Sequence, residues 1–146
     1  MIAIGSDHGG YKLKEEIKAY FSNIDFKDFG TFSDELMNFP DVAFPLAESV
    51  AREECDKGIL VCRSGIGMTI AANKVDGIRC ALCYSDTTAK SAKEHTNANI
   101  IAIGADELNF ESAKNIIEIW LSSEFLGGRY QERNELIKKY EVERKR

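Results

Sequence analysis

Five short apolar runs recur along the chain, separated by helix-length segments, and this alternation limits the fold more than any other feature. The runs are "MIAIG" (1–5), a weaker "IDFKDFG" (24–30), "GILVC" (58–62), "GIRCALC" (77–83) and "NIIAIG" (99–104). Each has the length and composition of a strand bounded by turn residues. Between them lie "GYKLKEEIKAYFS", "PDVAFPLAESVAREE", "GMTIAANK", "DTTAKSAKEHT" and "NFESAKNIIEIWLSSEF", all read as helices. In the first of these, Leu13, Ile17, Tyr20 and Phe21 share one stripe, which predicts packing on a sheet. "GILVC" and "NIIAIG" are apolar at nearly every position, as parallel strands covered on both faces must be. The expected fold is therefore an α/β, Rossmann-like three-layer sandwich with a five-stranded, mostly parallel sheet. A last helix from about Arg129, after "LGG", has no strand to return to and reads as an appended C-terminal element free to dock on another subunit.

No linker or internal repeat interrupts the pattern, so a single domain over residues 1–146 is expected. The formal charge of −5 and the scattered basic residues argue against nucleic acid as a partner. The closing "RNELIKKYEVERKR" mixes both signs and reads as a solvated helix face. No run reaches the roughly 18 apolar residues of a membrane span, and "MIAIGSDHGG" does not read as a leader. A cytoplasmic protein is the expectation, with its four cysteines as thiols. Cys80 and Cys83 form a CxxC, but on a strand positions three apart point to opposite faces, so buried thiols are expected there and no metal site.

In an open parallel sheet, ligands bind beyond the carboxyl ends of the strands. That rule gathers Gly5-Ser6-Asp7-His8 from the first strand and Cys62-Arg63-Ser64-Gly65-Ile66-Gly67 from the third on one rim. "RSGIG" is a glycine-rich turn entering a helix, able to aim backbone N–H groups at an oxyanion, although a plain tight turn has the same look. A thiol beside it, Cys62, is either a base or nucleophile or a buried strand-end cysteine. The two histidines, His8 and His95, both fall in predicted loops. Arg129 and Arg133 are four apart, so on a helix they share a face and either grip one phosphate or form a solvated pair.

Taken in order, "GSDHGGYKLK", "GILVCRSGIGMTIAANK", "GIRCAL", "HTNANIIAIG" and "GGRYQERNELI" closely resemble the ribose-5-phosphate isomerase B family, which includes galactose-6-phosphate isomerase subunits. The resemblance implies a Rossmann-like homodimer, sometimes paired into tetramers, that interconverts aldose and ketose phosphates in the pentose phosphate pathway without metal or organic cofactor. It implies an active site shared between two subunits, with Cys62 moving a proton between C1 and C2 through a cis-enediolate. A glutamate-based branch carries its acid where Met68 stands here, so the chain resembles the cysteine branch. The backbone of Arg63, Ser64, Gly65, Ile66 and Gly67 would face the developing oxyanion. His95 with Ser64 would open the furanose ring, Asp7 would orient sugar hydroxyls, and His8, Arg129 and Arg133 would hold the phosphate.

Five positions in three segments depart from the family pattern. Cys-Gly-Thr-Gly becomes Cys62-Arg63-Ser64-Gly65, Asp-Tyr-Pro becomes Asn38-Phe39-Pro40, and the Asn after the histidine becomes Thr96. Ser64 keeps a hydroxyl and Thr96 can still hydrogen-bond, whereas Arg63 puts a side chain where glycine allows close approach. Ribose 5-phosphate is the expected substrate. A six-carbon sugar phosphate, such as allose or galactose 6-phosphate, and a non-catalytic sugar-phosphate binding subunit are the rivals. A nucleotide-binding module is disfavoured by the expectation that no acidic residue closes the second strand at "DFGTF".

Overall fold

The computed structural model describes residues 1–145. Strands β1 (Ile2–Ser6), β2 (Phe26–Asp28), β3 (Lys57–Cys62), β4 (Cys80–Leu82) and β5 (Ile100–Gly104) form one five-stranded sheet in the order β2-β1-β3-β5-β4. Every neighbouring pair is parallel, so the sheet is wholly rather than mostly parallel. Helices α1 (Tyr11–Tyr20), α2 (Pro40–Ala51), α3 (Ile66–Ala72), α4 (Asp86–Glu94), α5 (Phe110–Ser122) and α6 (Arg129–Glu143) complete the described chain.

The central strands bury both faces. Val42, Leu46, Met68 and Ala72 from α2 and α3 meet Leu60, Ile100 and Ala102 on one side. Leu13 and Ile17 of α1, Ala89 and Ala92 of α4, and Ile116, Ile117 and Trp120 of α5 meet Ile4, Ile59, Ile101 and Ile103 on the other. The helix starts carry their own stop signals for the strand before. Ser85 and Thr88 form a reciprocal capping box at α4, and Asn109 accepts from Ser112 N at 2.8 Å to open α5.

The run at 24–30 pairs only over Phe26–Asp28, because the chain turns away at Gly30, whose φ is +92°. Asp28 thus closes β2, contrary to the expectation that no acidic residue would. Its carboxylate is already occupied: Lys14 Nζ reaches both oxygens at 2.8 Å, Lys18 Nζ reaches Oδ2 at 2.8 Å, and Gly30 N donates to Oδ1 at 2.8 Å. Lys14 is fully buried and also donates to Thr31 O at 2.7 Å. This network ties α1 to the loop after β2, and a ribose hydroxyl would find no free acceptor there.

The CxxC splits as expected, with Cys80 in the core beneath α2 and α3 and Cys83 in the opposite one. Burial pushes both thiols up to about 12. Helix α6 contains no buried residue and exposes Leu136, Ile137, Tyr140 and Val142. Among the described residues no helix is long and apolar enough to cross a membrane.

Candidate active site

Helix α1 follows β1 on one face of the sheet, and α3 follows β3 on the other. The two strands are neighbours, so their loops part at the carboxyl rim and leave a crevice between them. Asp7 and His8 line one side of it, and the turn from Cys62 to Gly67 lines the other.

Asp7 is nearly buried, its N donating to Val61 O at 3.2 Å and its Oδ1 accepting from Gly10 N at 3.0 Å, which caps a 3-10 turn over His8–Gly10. One oxygen is thereby fixed, and the carboxylate is held against the end of β3. His8 is half-buried and accepts from Met37 N on Nδ1 at 3.3 Å. A ring that accepts on Nδ1 carries its proton on Nε2 when neutral, which makes Nε2 a donor.

Cys62 stands opposite Gly104 in the last register pair of β3 and β5. Its side chain closes the core over Met68 and Ala102, and its Sγ accepts from Gly65 N at 3.1 Å. Gly65 can make that return because its φ is +80°, and a Cβ there would lie 2.6 Å from Leu82 Cδ1. Gly67 is open for a different reason: the Phe39 ring lies on it, 2.7 Å from where a Cβ would be. The amide cradle expected over residues 63–67 is narrower than the sequence implied. Gly65 N is engaged by the thiol and Ile66 N by Ser64 Oγ at 3.2 Å, so both are paired within the turn.

Arg63 turns across the rim rather than into it. Its stem covers Gly9, where a Cβ would meet Arg63 Cγ at 2.5 Å, and its Nη1 lies 3.6 Å from Asp106 Oδ1. Both ends of that pair are more than half exposed, so solvent screens it and the guanidinium is free to reorient.

The remaining predicted residues lie at the other end of the sheet. Helix α4 carries the chain back from the end of β4, and His95 caps it before β5 begins. Asn99 O accepts from Gly58 N at 2.9 Å, which marks the amino edge, and Cys62 is four residues further along β3. At a strand rise of about 3.3 Å per residue, Cys62 stands about 13 Å along β3 from the Gly58 edge, and His95 ends the helix that returns the chain to that edge. Thr96 lies beside it, its Oγ1 donating to Ala92 O at 2.7 Å. Arg129 and Arg133 open α6 at this same end.

One chain therefore brings together Asp7, His8, Cys62, Arg63, Ser64, Gly65, Ile66 and Gly67 on the carboxyl rim, and His95, Thr96, Arg129 and Arg133 on the amino rim. It does not bring Ser64 to His95, nor His8 to the two arginines. Sequence reasoning passed over the aromatic ring that joins the second group: Tyr130 stacks on His95 with centroids 4.6 Å apart and planes 14° from parallel. The signal was its place in "RYQER", where a tyrosine at the start of a helix directly follows one arginine and lies three residues before another.

The parallel sheet, the crevice at its topological switch point and a thiol held by a glycine turn there define a small-molecule α/β protein of Rossmann-like type. The chain belongs to the Ribose/Galactose Isomerase family, whose model matches residues 2–137. It is similar to YwlF of Bacillus subtilis, 46% identical over 143 residues and 96% of each chain. Ribose-5-phosphate isomerase B of Escherichia coli is 40% identical over 145 residues, covering 98% of this chain and 97% of that one. Among solved structures, ribose-5-phosphate isomerase B of Clostridium thermocellum superposes with a TM-score of 0.95 at 43% identity, covering 97% of both chains.

Proposed function

We propose that this sugar-phosphate isomerase interconverts ribose 5-phosphate and ribulose 5-phosphate through a cis-enediolate, with Cys62 as the base. The reading rests above all on the sulfur of Cys62, held by Gly65 N at 3.1 Å at the switch point of the sheet beside Asp7. A thiolate there takes the proton from C2 of the open aldose and returns it to C1, while a proton moves from O2 to O1 through the enediolate. The product is the ketose, and nothing is oxidised or reduced overall. In this reading the remaining N–H groups of the turn serve the oxygen on which charge develops, and Asp7 accepts from the sugar hydroxyls and so orients them.

The two half-sites call for a second copy. Cys62 and Ser64 supply base and hydroxyl on one rim, and His95, Arg129 and Arg133 supply ring-opening acid and phosphate grip on the other. A two-fold dimer that apposes the carboxyl rim of one copy to the amino rim of its partner assembles two complete sites. The apolar residues that α6 leaves exposed, Leu136, Ile137, Tyr140 and Val142, give such a dimer a surface to bury.

The five-carbon substrate is favoured over a six-carbon one by the similarity to proteins named ribose-5-phosphate isomerase B. A coupled assay on the purified protein, with ribose 5-phosphate and with allose and galactose 6-phosphates, tests both points. Turnover is expected to be fastest on ribose 5-phosphate and unchanged by a chelator. Loss of activity on chelation would overturn the metal-free route, and preference for a hexose phosphate would overturn the substrate.

A further inference from the structure

We infer that Tyr130 is the positioning residue of the amino-rim half-site, holding His95, Arg129 and Arg133 as one unit so that phosphate binding and ring opening depend on each other. The inference rests on the isomerase reading for the roles of those three residues. The geometry is independent of it.

Helix α6 has no buried residue, so no core packing fixes it. It is joined to the body through Gly127 and Gly128, with φ of +70° and +55°, and a Cβ at either would meet nothing within 4 Å. Among the polar ties of this segment to the body are Leu126 N to Glu94 O at 3.1 Å, Asn134 Nδ2 to Thr96 O at 2.9 Å, Gly77 N to Glu141 Oε2 at 3.0 Å, and Asp76 with Arg144 and Lys145. All of these are at or near the surface, where water competes, and none touches Arg129 or Arg133.

Tyr130 is the group that does. Its ring stacks on His95. Arg129 Cζ lies 5.0 Å and Arg133 Cζ 5.6 Å from its centroid, and Arg129 Nη2 donates to Tyr130 Oη at 2.9 Å. Two guanidiniums and an imidazole gathered at one spot repel each other once the imidazole is charged. An electron-rich ring in contact with all three offsets that repulsion and, Arg129 Nη2 apart, leaves guanidinium donors for the phosphate. The same ring sets the angle between the acid and the anion grip, because a planar stack admits little rotation.

The test compares wild type, Tyr130→Phe and Tyr130→Ala by kinetics on ribose 5-phosphate and by calorimetric binding of inorganic phosphate. Tyr130→Phe keeps the stack and loses the hydroxyl, so KM should rise about threefold with kcat unchanged. Tyr130→Ala loses the ring, so KM and the phosphate Kd should each rise about tenfold, and kcat should fall as well because His95 is no longer oriented. A ring of purely structural importance would lower stability without this split between the two variants. A Tyr130→Ala protein whose KM and phosphate Kd stay within about twofold of wild type would overturn the inference. If wild type turned over no sugar phosphate but the alanine variant still lost phosphate binding, the isomerase reading would fall and the positioning role would stand.

Discussion

Gly65 N donates to Cys62 Sγ across 3.1 Å, so the residue that turns the chain into α3 also holds the sulfur at the crevice. Removing either partner separates chemistry from folding. Cys62→Ala should lower kcat by about a thousandfold, the scale of a lost general base, with an unchanged circular dichroism spectrum. Gly65→Ala should instead cost about 1–3 kcal/mol in urea denaturation, because φ of +80° and the contact with Leu82 both resist a side chain. Near-normal turnover by Cys62→Ala would remove the thiol from the reaction.

The separation of Cys62 from His95 within one chain leads to a complementation experiment. Cys62→Ala and His95→Ala homodimers should each be nearly inactive, since every site lacks one partner. A mixed dimer carries one site with both native residues and one with neither. Unfolding and refolding an equal mixture should therefore restore about a quarter of wild-type activity. A mixture as inactive as its parents would show that the two residues do not act across subunits.

Lys14 lies on the buried side of α1 with Asp28 as its main partner, and their separation in sequence hid the pair. The spacing Gly10, Lys14, Ile17, Phe21 places this lysine on the apolar face, yet an isolated lysine in a charged helix reads as solvated until the strand that carries its carboxylate is in place. Lys14→Met should cost about 3 kcal/mol in chemical denaturation, because it strands part of a half-buried carboxylate. Lys18→Met, whose ammonium is about a third exposed, should cost under about 1 kcal/mol. Equal effects would contradict the network.

Acid should reach the same network. Burial on its own would raise the Asp28 pKa, but hydrogen bonds from Lys14, Lys18 and Gly30 outweigh it and hold the carboxyl below its ordinary value. A depressed carboxylate stabilises the fold above its unfolded pKa of about 3.9 and loses that contribution as pH falls through the folded value. Melting temperature should therefore decline below about pH 4 in wild type, and less steeply in Asp28→Asn.

Cys80 and Cys83 have the opposite sign. Burial raises both thiols to about 12, so they favour the fold below the unfolded thiol value and lose that contribution as pH climbs through the folded one. At pH 8 neither should react with iodoacetamide until denaturant is added. Labelling of either in the native protein would contradict the buried placement.

The order of strands and helices, the parallel sheet and the crevice-facing residues Asp7, His8 and Cys62 were legible in the sequence. These features follow from local periodicity and from a rule about strand ends, both of which act over a few residues. The sequence did not separate His95 and the two arginines from Cys62, because a motif in a linear chain carries no record of which end of a sheet it occupies. That depends on α4 running antiparallel to the strands, a property of the assembled layers. The Lys14–Asp28 pair, the stem of Arg63 over Gly9 and the Tyr130 stack were likewise decided only in three dimensions, since each joins residues whose contact energy exists only once separate elements are packed together.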